Sequence, residues 1–338
     1  MSLNAIWFIL VGVLIAGYAV LDGFDLGVGI LHLFVKGDDE RRLSLNSIGP
    51  VWDGNEVWLV TAGGALFAAF PEVYASAFSG FYTAFMLLLL TLIFRAVAIE
   101  FRSKRPSPAW RQGWDIVFSA GSFGAALLLG VAFGNVISGV PLDLDRNVRI
   151  SLVGLLHPYA LLVGATTITL LALHGASYLV LKTEGALQAR VRGWVRPLMI
   201  AFIIAYAVTT LATLLYQPHM AARIQSQPVF FLIPIATVLA IANIPREVYH
   251  GREFRAFLSS SITIVLLSAL VGVGLYPTLM LSTPDPGRSL TIFNAASSQR
   301  TLGIMLVIAV TGVPMVLAYT TVIYWIFRGK VRLDPHSY

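Results

Sequence analysis

The chain contains no cysteine, which removes disulfides, thiolate metal sites and cysteine nucleophiles and leaves the redox compartment unmarked. Charge is scarce as well. Only 12% of the 338 residues are Asp, Glu, Lys or Arg and 57% are hydrophobic, where ordinary soluble domains carry about 25% charged residues. Mean hydropathy is +0.79. Apolar runs such as residues 84–94 are too many for one soluble core to wrap, so the composition defines an all-α, polytopic membrane helical bundle. Low-complexity tracts, strong repeats and a separate soluble domain are also missing, and residues 1–338 read as a single transmembrane domain. The start lacks a basic n-region and a small-residue cleavage site, so the first apolar stretch is expected to stay in the mature protein.

Runs of about 20 apolar residues bounded by charge, Pro or Gly place about nine spans, near 5–34, 48–70, 74–101, 112–137, 152–182, 194–216, 229–244, 256–280 and 302–328. The seventh is short and holds Pro234, which leaves a re-entrant segment open as its alternative. Of the 23 Lys and Arg, 17 then fall on one side, five on the other, and Arg95 alone lies within a span. The positive-inside rule puts the N-terminus outside and the C-terminus in the cytoplasm. Topology thus accounts for most of the net charge of +6, and nucleic acid is not implied. Residues 281–301, with Pro284-Asp285-Pro286-Gly287, are expected to form a turn-rich surface loop.

Against this apolar background four carboxylates stand out: Asp22 and Asp25 in the first span, Asp53 and Glu56 in the second. Intramembrane carboxylates are costly and point to function by default. Counted at 1.5 Å per residue from the ends at 34 and 47, Asp25 and Asp22 lie roughly 14 and 18 Å deep, and Asp53 and Glu56 roughly 9 and 14 Å. Each pair is spaced i,i+3 and shares a helix face. Asp22, Asp25, Gly29 and His32 continue one stripe toward the cytoplasm, able to line water. Arg95 and Glu100 on span three and Asp115 on span four complete a group of six acids and one Arg in the inner half. Each has a plainer reading. Asp53 follows Gly49-Pro50 and suits a first helical turn, Glu100 and Asp115 suit the membrane interface, and Asp22 and Asp25 could pair with Arg95 for structure alone.

Gly23 and Gly27 form a small-xxx-small pair that lets helices approach closely, with Gly63-Gly64 on span two as the expected acceptor. His157 and His174 both fall in span five, roughly 25 Å apart along a helix, too far to grip one metal. No metal-ligand spacing occurs, so no metal is expected to be held by this chain alone.

Several strings resemble subunit II of cytochrome bd-type quinol oxidases. They include Gly23-Phe24-Asp25-Leu26-Gly27-Val28-Gly29, Gly49-Pro50-Val51-Trp52-Asp53-Gly54-Asn55-Glu56-Val57-Trp58 and Phe94-Arg95-Ala96-Val97-Ala98-Ile99-Glu100-Phe101-Arg102. Residues 61–71, 130–135 and 289–298 extend the likeness nearly end to end. The resemblance implies a haem-poor subunit of a bacterial inner-membrane oxidase that takes electrons from quinol and reduces dioxygen to water. Two b-type haems, one d-type haem and the quinol site would belong to a larger haem-bearing subunit I, the heterodimeric partner. A small accessory subunit and contacts with membrane lipid and quinone are left open. No catalytic or cofactor-binding residue would lie in this chain. Its role would be support of subunit I and passage of cytoplasmic protons, without pumping, through Asp22, Asp25, Asp53, Glu56, Glu100, Asp115 and His32, with Arg95 as charge partner. The family's acidic positions carry over to Asp22, Asp25 and Asp53, while Glu56 stands where some members have Gln. The competing readings are a proton-coupled secondary transporter, which would work as a single chain, and a purely structural scaffold.

Overall fold

The computed structural model describes residues 1–283 and 285–333; Pro284 of the expected loop and residues 334–338 lie outside the described residues. Helix α1 (Leu3–Leu31) starts where the Ser2 hydroxyl accepts the Ala5 N–H, and closes in a 3-10 turn, His32–Phe34. A polar connector, α2 (Asp38–Ile48), carries Asp38, Asp39 and Glu40 in its first turn, where negative side chains favour the helix dipole. It leads into α3 (Trp52–Ala69).

The expected third span is broken. Pro71 opens a separate short helix, α4 (Pro71–Gly80), and α5 (Tyr82–Phe101) follows after Phe81. Pro at the first helical position is pre-organised to start a helix, and Pro71 parts α4 from α3 where the expected second and third spans also part; the break inside the expected 74–101 span falls at Phe81, where the apolar pattern carries no record of the bend. Next come α6 (Pro108–Ser138), the one-turn α7 (Leu152–Leu155) and α8 (Pro158–Lys182). Pro158 again resets the chain, so the expected 152–182 span begins at 158 and His157 lies outside it as the N-cap.

Helix α9 (Gly185–Tyr216) begins well before the expected residue 194, because its first turns are polar and extend beyond the apolar stretch. After α10 (His219–Ser226), α11 (Leu232–Tyr249) keeps Pro234 in its first turn, and with the preceding 3-10 turn its 22 residues are long enough to cross a membrane. Helices α12 (Glu253–Leu275) and α13 (Gln299–Ile326) complete the bundle. Between them, β1 (Thr278–Met280) and β2 (Leu290–Thr291) pair antiparallel. Leu290, Ile292 and Ala295 are buried there, whereas residues 285–287 and 298–301 are exposed, so the expected surface loop keeps exposed turns and is pinned to the bundle by these three side chains.

Among the described residues eight helices are long and apolar enough to span a bilayer; α3, with 18 residues and Asp53, Asn55 and Glu56 near its start, is not among them. At 1.5 Å per residue α3 measures about 27 Å, close to a hydrocarbon core of about 30 Å.

Helix α1 is the hub and packs against α3, α6, α8 and α12. Its glycines make this possible, but on a different partner from the one expected. A Cβ on Gly27 would lie 2.0 Å from the Leu171 carbonyl oxygen, and one on Gly175 would lie 2.3 Å from the Gly27 carbonyl carbon, so α1 and α8 touch backbone to backbone. Gly63 and Gly64 have nothing within 4 Å of their Cβ positions. Spacing revealed a small face on α1; the choice of mate depended on tertiary packing.

Candidate functional site

The buried face of α1 carries two polar clusters. At the first, Asp22 and Arg95 are both fully buried, and the guanidinium reaches across from α5 to grip the carboxylate at both oxygens, Nη1 donating to Oδ2 at 3.0 Å and Nη2 to Oδ1. This fork-on-carboxylate geometry compensates two charges that neither lipid nor apolar side chains could solvate.

One turn on, Asp25 is also fully buried but has no cation in hydrogen-bond contact. Its Oδ2 accepts from Asn55 Nδ2 at 2.7 Å, while Oδ1 has no hydrogen-bond partner. The Asn55 side-chain oxygen accepts from the Tyr324 hydroxyl at 2.8 Å. Since a carboxylate accepts and the tyrosine donates here, the amide orientation is fixed at both ends. The chain Tyr324, Asn55, Asp25 joins α13, α3 and α1.

Glu56 is half-buried one helical step from Asn55 and feels the charges of Arg95, Asp22 and Asp53. Asp53 is exposed in the first turn of α3. The structure therefore gathers Asp22, Asp25, Arg95 and Glu56 and leaves Asp53 at the rim. Glu100 is half-buried near the end of α5.

The second cluster lies about 10 Å further along α1, seven residues on at 1.5 Å each. Buried Asp115 accepts from His32 Nε2 at 2.6 Å, from Arg102 Nε at 2.5 Å and from Arg41 Nη1 at 2.9 Å. Arg102 also reaches Asp38 at 2.8 Å, which Arg111 contacts at 2.6 Å. His32 rests edge-on against Phe118, and its Nδ1 has no hydrogen-bond partner. Because the carboxylate only accepts, His32 donates through Nε2. Between the clusters the stripe is closed by packing, since a Cβ on Gly29 would lie 1.9 Å from Ser122 Oγ on α6.

The remaining buried histidine is fully committed. His174 Nε2 lies 2.9 Å from the Val20 carbonyl, so it donates, and Nδ1 lies 2.7 Å from Ser260 Oγ. His157, outside the spans, accepts the Ala160 N–H as a helix cap, and partial burial lowers its pKa. Among the described residues no three His, Cys, Asp or Glu side chains converge as a metal site.

Sequence reasoning overlooked Asn55 and Tyr324, which are uncharged and 269 positions apart. It also counted Arg41, Arg102 and Arg111 only as topological charges, although they fold back onto Asp115 and Asp38.

These features define a class: a multi-pass helical membrane protein in which compensated and uncompensated carboxylates are buried side by side at a junction of four helices. Comparison narrows it. The family profile for cytochrome bd terminal oxidase subunit II matches residues 3–327. The chain is 38% identical to cytochrome bd-I ubiquinol oxidase subunit 2 of Escherichia coli strain K12, over 98% of this chain and 96% of that one. It is 36% identical to cytochrome bd ubiquinol oxidase subunit 2 of Bacillus subtilis strain 168, over 100% and 99%. A chain in the solved structure of bd oxidase from Geobacillus thermodenitrificans shares the fold, with a TM-score of 0.80 at 16% identity, covering 97% of this chain and 99% of that one. The chain belongs to the cytochrome bd terminal oxidase subunit II family, and is a multi-pass protein of the bacterial inner membrane.

Proposed function

We propose that this chain is the haem-poor subunit of a bd-type quinol oxidase, seated beside a larger haem-bearing subunit I and helping to bring cytoplasmic protons to the site of oxygen reduction. The observation that carries the reading is Asp25: a fully buried carboxylate with one oxygen open, tied through Asn55 to Tyr324 on the outlying helix α13. Two b-type haems and one d-type haem, held by subunit I, supply electron transfer from quinol and the reduction of oxygen. Placing the haems in the partner is supported by His174, whose two ring nitrogens are both engaged.

Within the chain the acids divide by chemistry. Asp25 and Glu56 are the groups suited to take up and release a proton, with exposed Asp53 as their link to the rim. Asp22 and Asp115, gripped by guanidinium groups, hold helices together and set the field around Asp25. Asn55 cannot pass a proton as a carboxylate does; it positions Asp25. His32 and Glu100 border the inner end of the same helices.

Docking of subunit I is supported by α13, of which Leu302 alone is buried among the described residues, while Ile304, Val307, Ile308 and Val310 are exposed. Nine crossings, with the N-terminus outside, fit the positions of the chain ends. Asn4 binds Ile292 and Gln299 near the start of α13, whereas Val331 binds Lys182 at the opposite end of the bundle. Opposite ends require an odd number of crossings, and the eight apolar helices with α3 supply it.

Asp25→Asn in the assembled complex tests the role. Quinol-driven oxygen uptake is expected to fall at unchanged haem content. Normal uptake at full haem content would overturn the relay, and loss of haem would favour the scaffold reading.

A further inference from the structure

We propose that the groove between α11 and α12 is a binding site for one anionic phospholipid, its phosphate on Arg246 and its acyl chains along the apolar walls. The proposal rests on the membrane location of the chain alone and stands apart from the proton reading.

The groove has a volume of about 520 Å³ and runs from Leu239, Ala240 and Ile262 to a polar end formed by Asn243, Ser259 and Arg246. The small side chain at Ala240 leaves room between the two helices. The polar end is built, not incidental. Ser259 donates to the Arg255 carbonyl at 2.8 Å and accepts from Asn243 Nδ2 at 2.9 Å; the Asn243 oxygen then accepts from Arg246 Nη1 at 3.2 Å. That last contact orients the guanidinium and occupies one of its five N–H donors.

Charge decides the occupant. The nearest carboxylate to Arg246 is Glu247, at 3.8 Å, and the same buried Glu247 lies 3.8 Å from Arg252. Both separations are too long for hydrogen bonds, so two guanidinium groups share one acid that satisfies neither. Exposed Arg255 adds a third cation within one turn of Arg252, and the next acid, Glu253, is taken by Arg192 and Lys330. A net positive mouth over an apolar trough, on the membrane face where Lys and Arg gather, matches an anionic lipid and not a zwitterionic one.

The test uses the full chain purified with its partner in mild detergent, titrated with phosphatidylglycerol or phosphatidylcholine and read by native mass spectrometry. The wild type is expected to retain one phosphatidylglycerol with clear preference over phosphatidylcholine. Arg246→Gln should weaken that preference about fivefold, the share of one basic residue beside an anionic headgroup. Ile262→Trp, which fills the trough and spares the charges, should expel the lipid. Arg149→Gln, in the 139–151 loop, should change nothing. Equal retention of both lipids by the wild type overturns the proposal, as does an undiminished preference in Arg246→Gln and Ile262→Trp. Displacement of the lipid by millimolar inorganic phosphate would assign the polar end to a free anion and overturn it too.

Discussion

Asp22 and Asp25 are three residues apart on one helix and equally buried, yet their surroundings give them different work. Arg95 grips Asp22 at both oxygens, so removing the arginine alone strands a buried charge. Arg95→Gln is expected to destabilise the protein by about 3–5 kcal/mol, measured by thermal unfolding in detergent, and Asp22→Asn added to it should recover much of the loss. Outside the membrane, the Asn147 N–H first and then Arg149 hold the Asp143 carboxyl below its usual pKa. A lowered folded pKa means that this contribution is present at neutral pH and is lost as pH falls through the lowered value. Asp143→Ala should therefore speed trypsin cleavage after Arg146 and Arg149 at neutral pH. At this scale the sequence exposed what was costly: acids in apolar runs, and one arginine within a span. Tyr324 and Asn55 carry no charge and meet only through the fold, so nothing along the chain marked them.

Helix identity followed from the apolar runs, because a membrane leaves few alternatives to a helix. Helix ends did not follow as well. The polar first turns of α9 reach beyond the bilayer, where Gln188 and Arg192 bind Glu253, and a search for apolar residues stops short of them. The bend at Phe81 and the restart at Pro158 divide runs that read as single spans. The α1–α8 contact shows the same limit, since glycine spacing identified a small face without its mate. Gly175→Ala should drive the two backbones apart and reduce recovery of the chain with its partner, while Gly63→Ala, with open space at its Cβ position, should leave recovery unchanged. Quantifying both subunits after affinity purification checks the pair.

Across the whole molecule, the nine crossings proposed above, with the N-terminus outside, would put 17 of the 23 Lys and Arg on the inner face. A fluorescent protein fused after residue 338 should mature in the cytoplasm, and an alkaline phosphatase fused at the N-terminus should be active outside. The transporter reading required activity from one chain, and family membership sets it aside. Composition and a few strings conveyed the bundle and the acids. Which acids are compensated became visible only when α1, α3, α5 and α13 were brought together.

The most direct test is proton uptake by the intact complex in liposomes during a single turnover with oxygen, comparing wild type with Asp25→Asn at equal haem content. The account expects uptake from the cytoplasmic side to slow by about a hundredfold, the low end of what a positioned acid–base group contributes, while electron entry from quinol is unchanged. Uptake at the wild-type rate in that variant would contradict it.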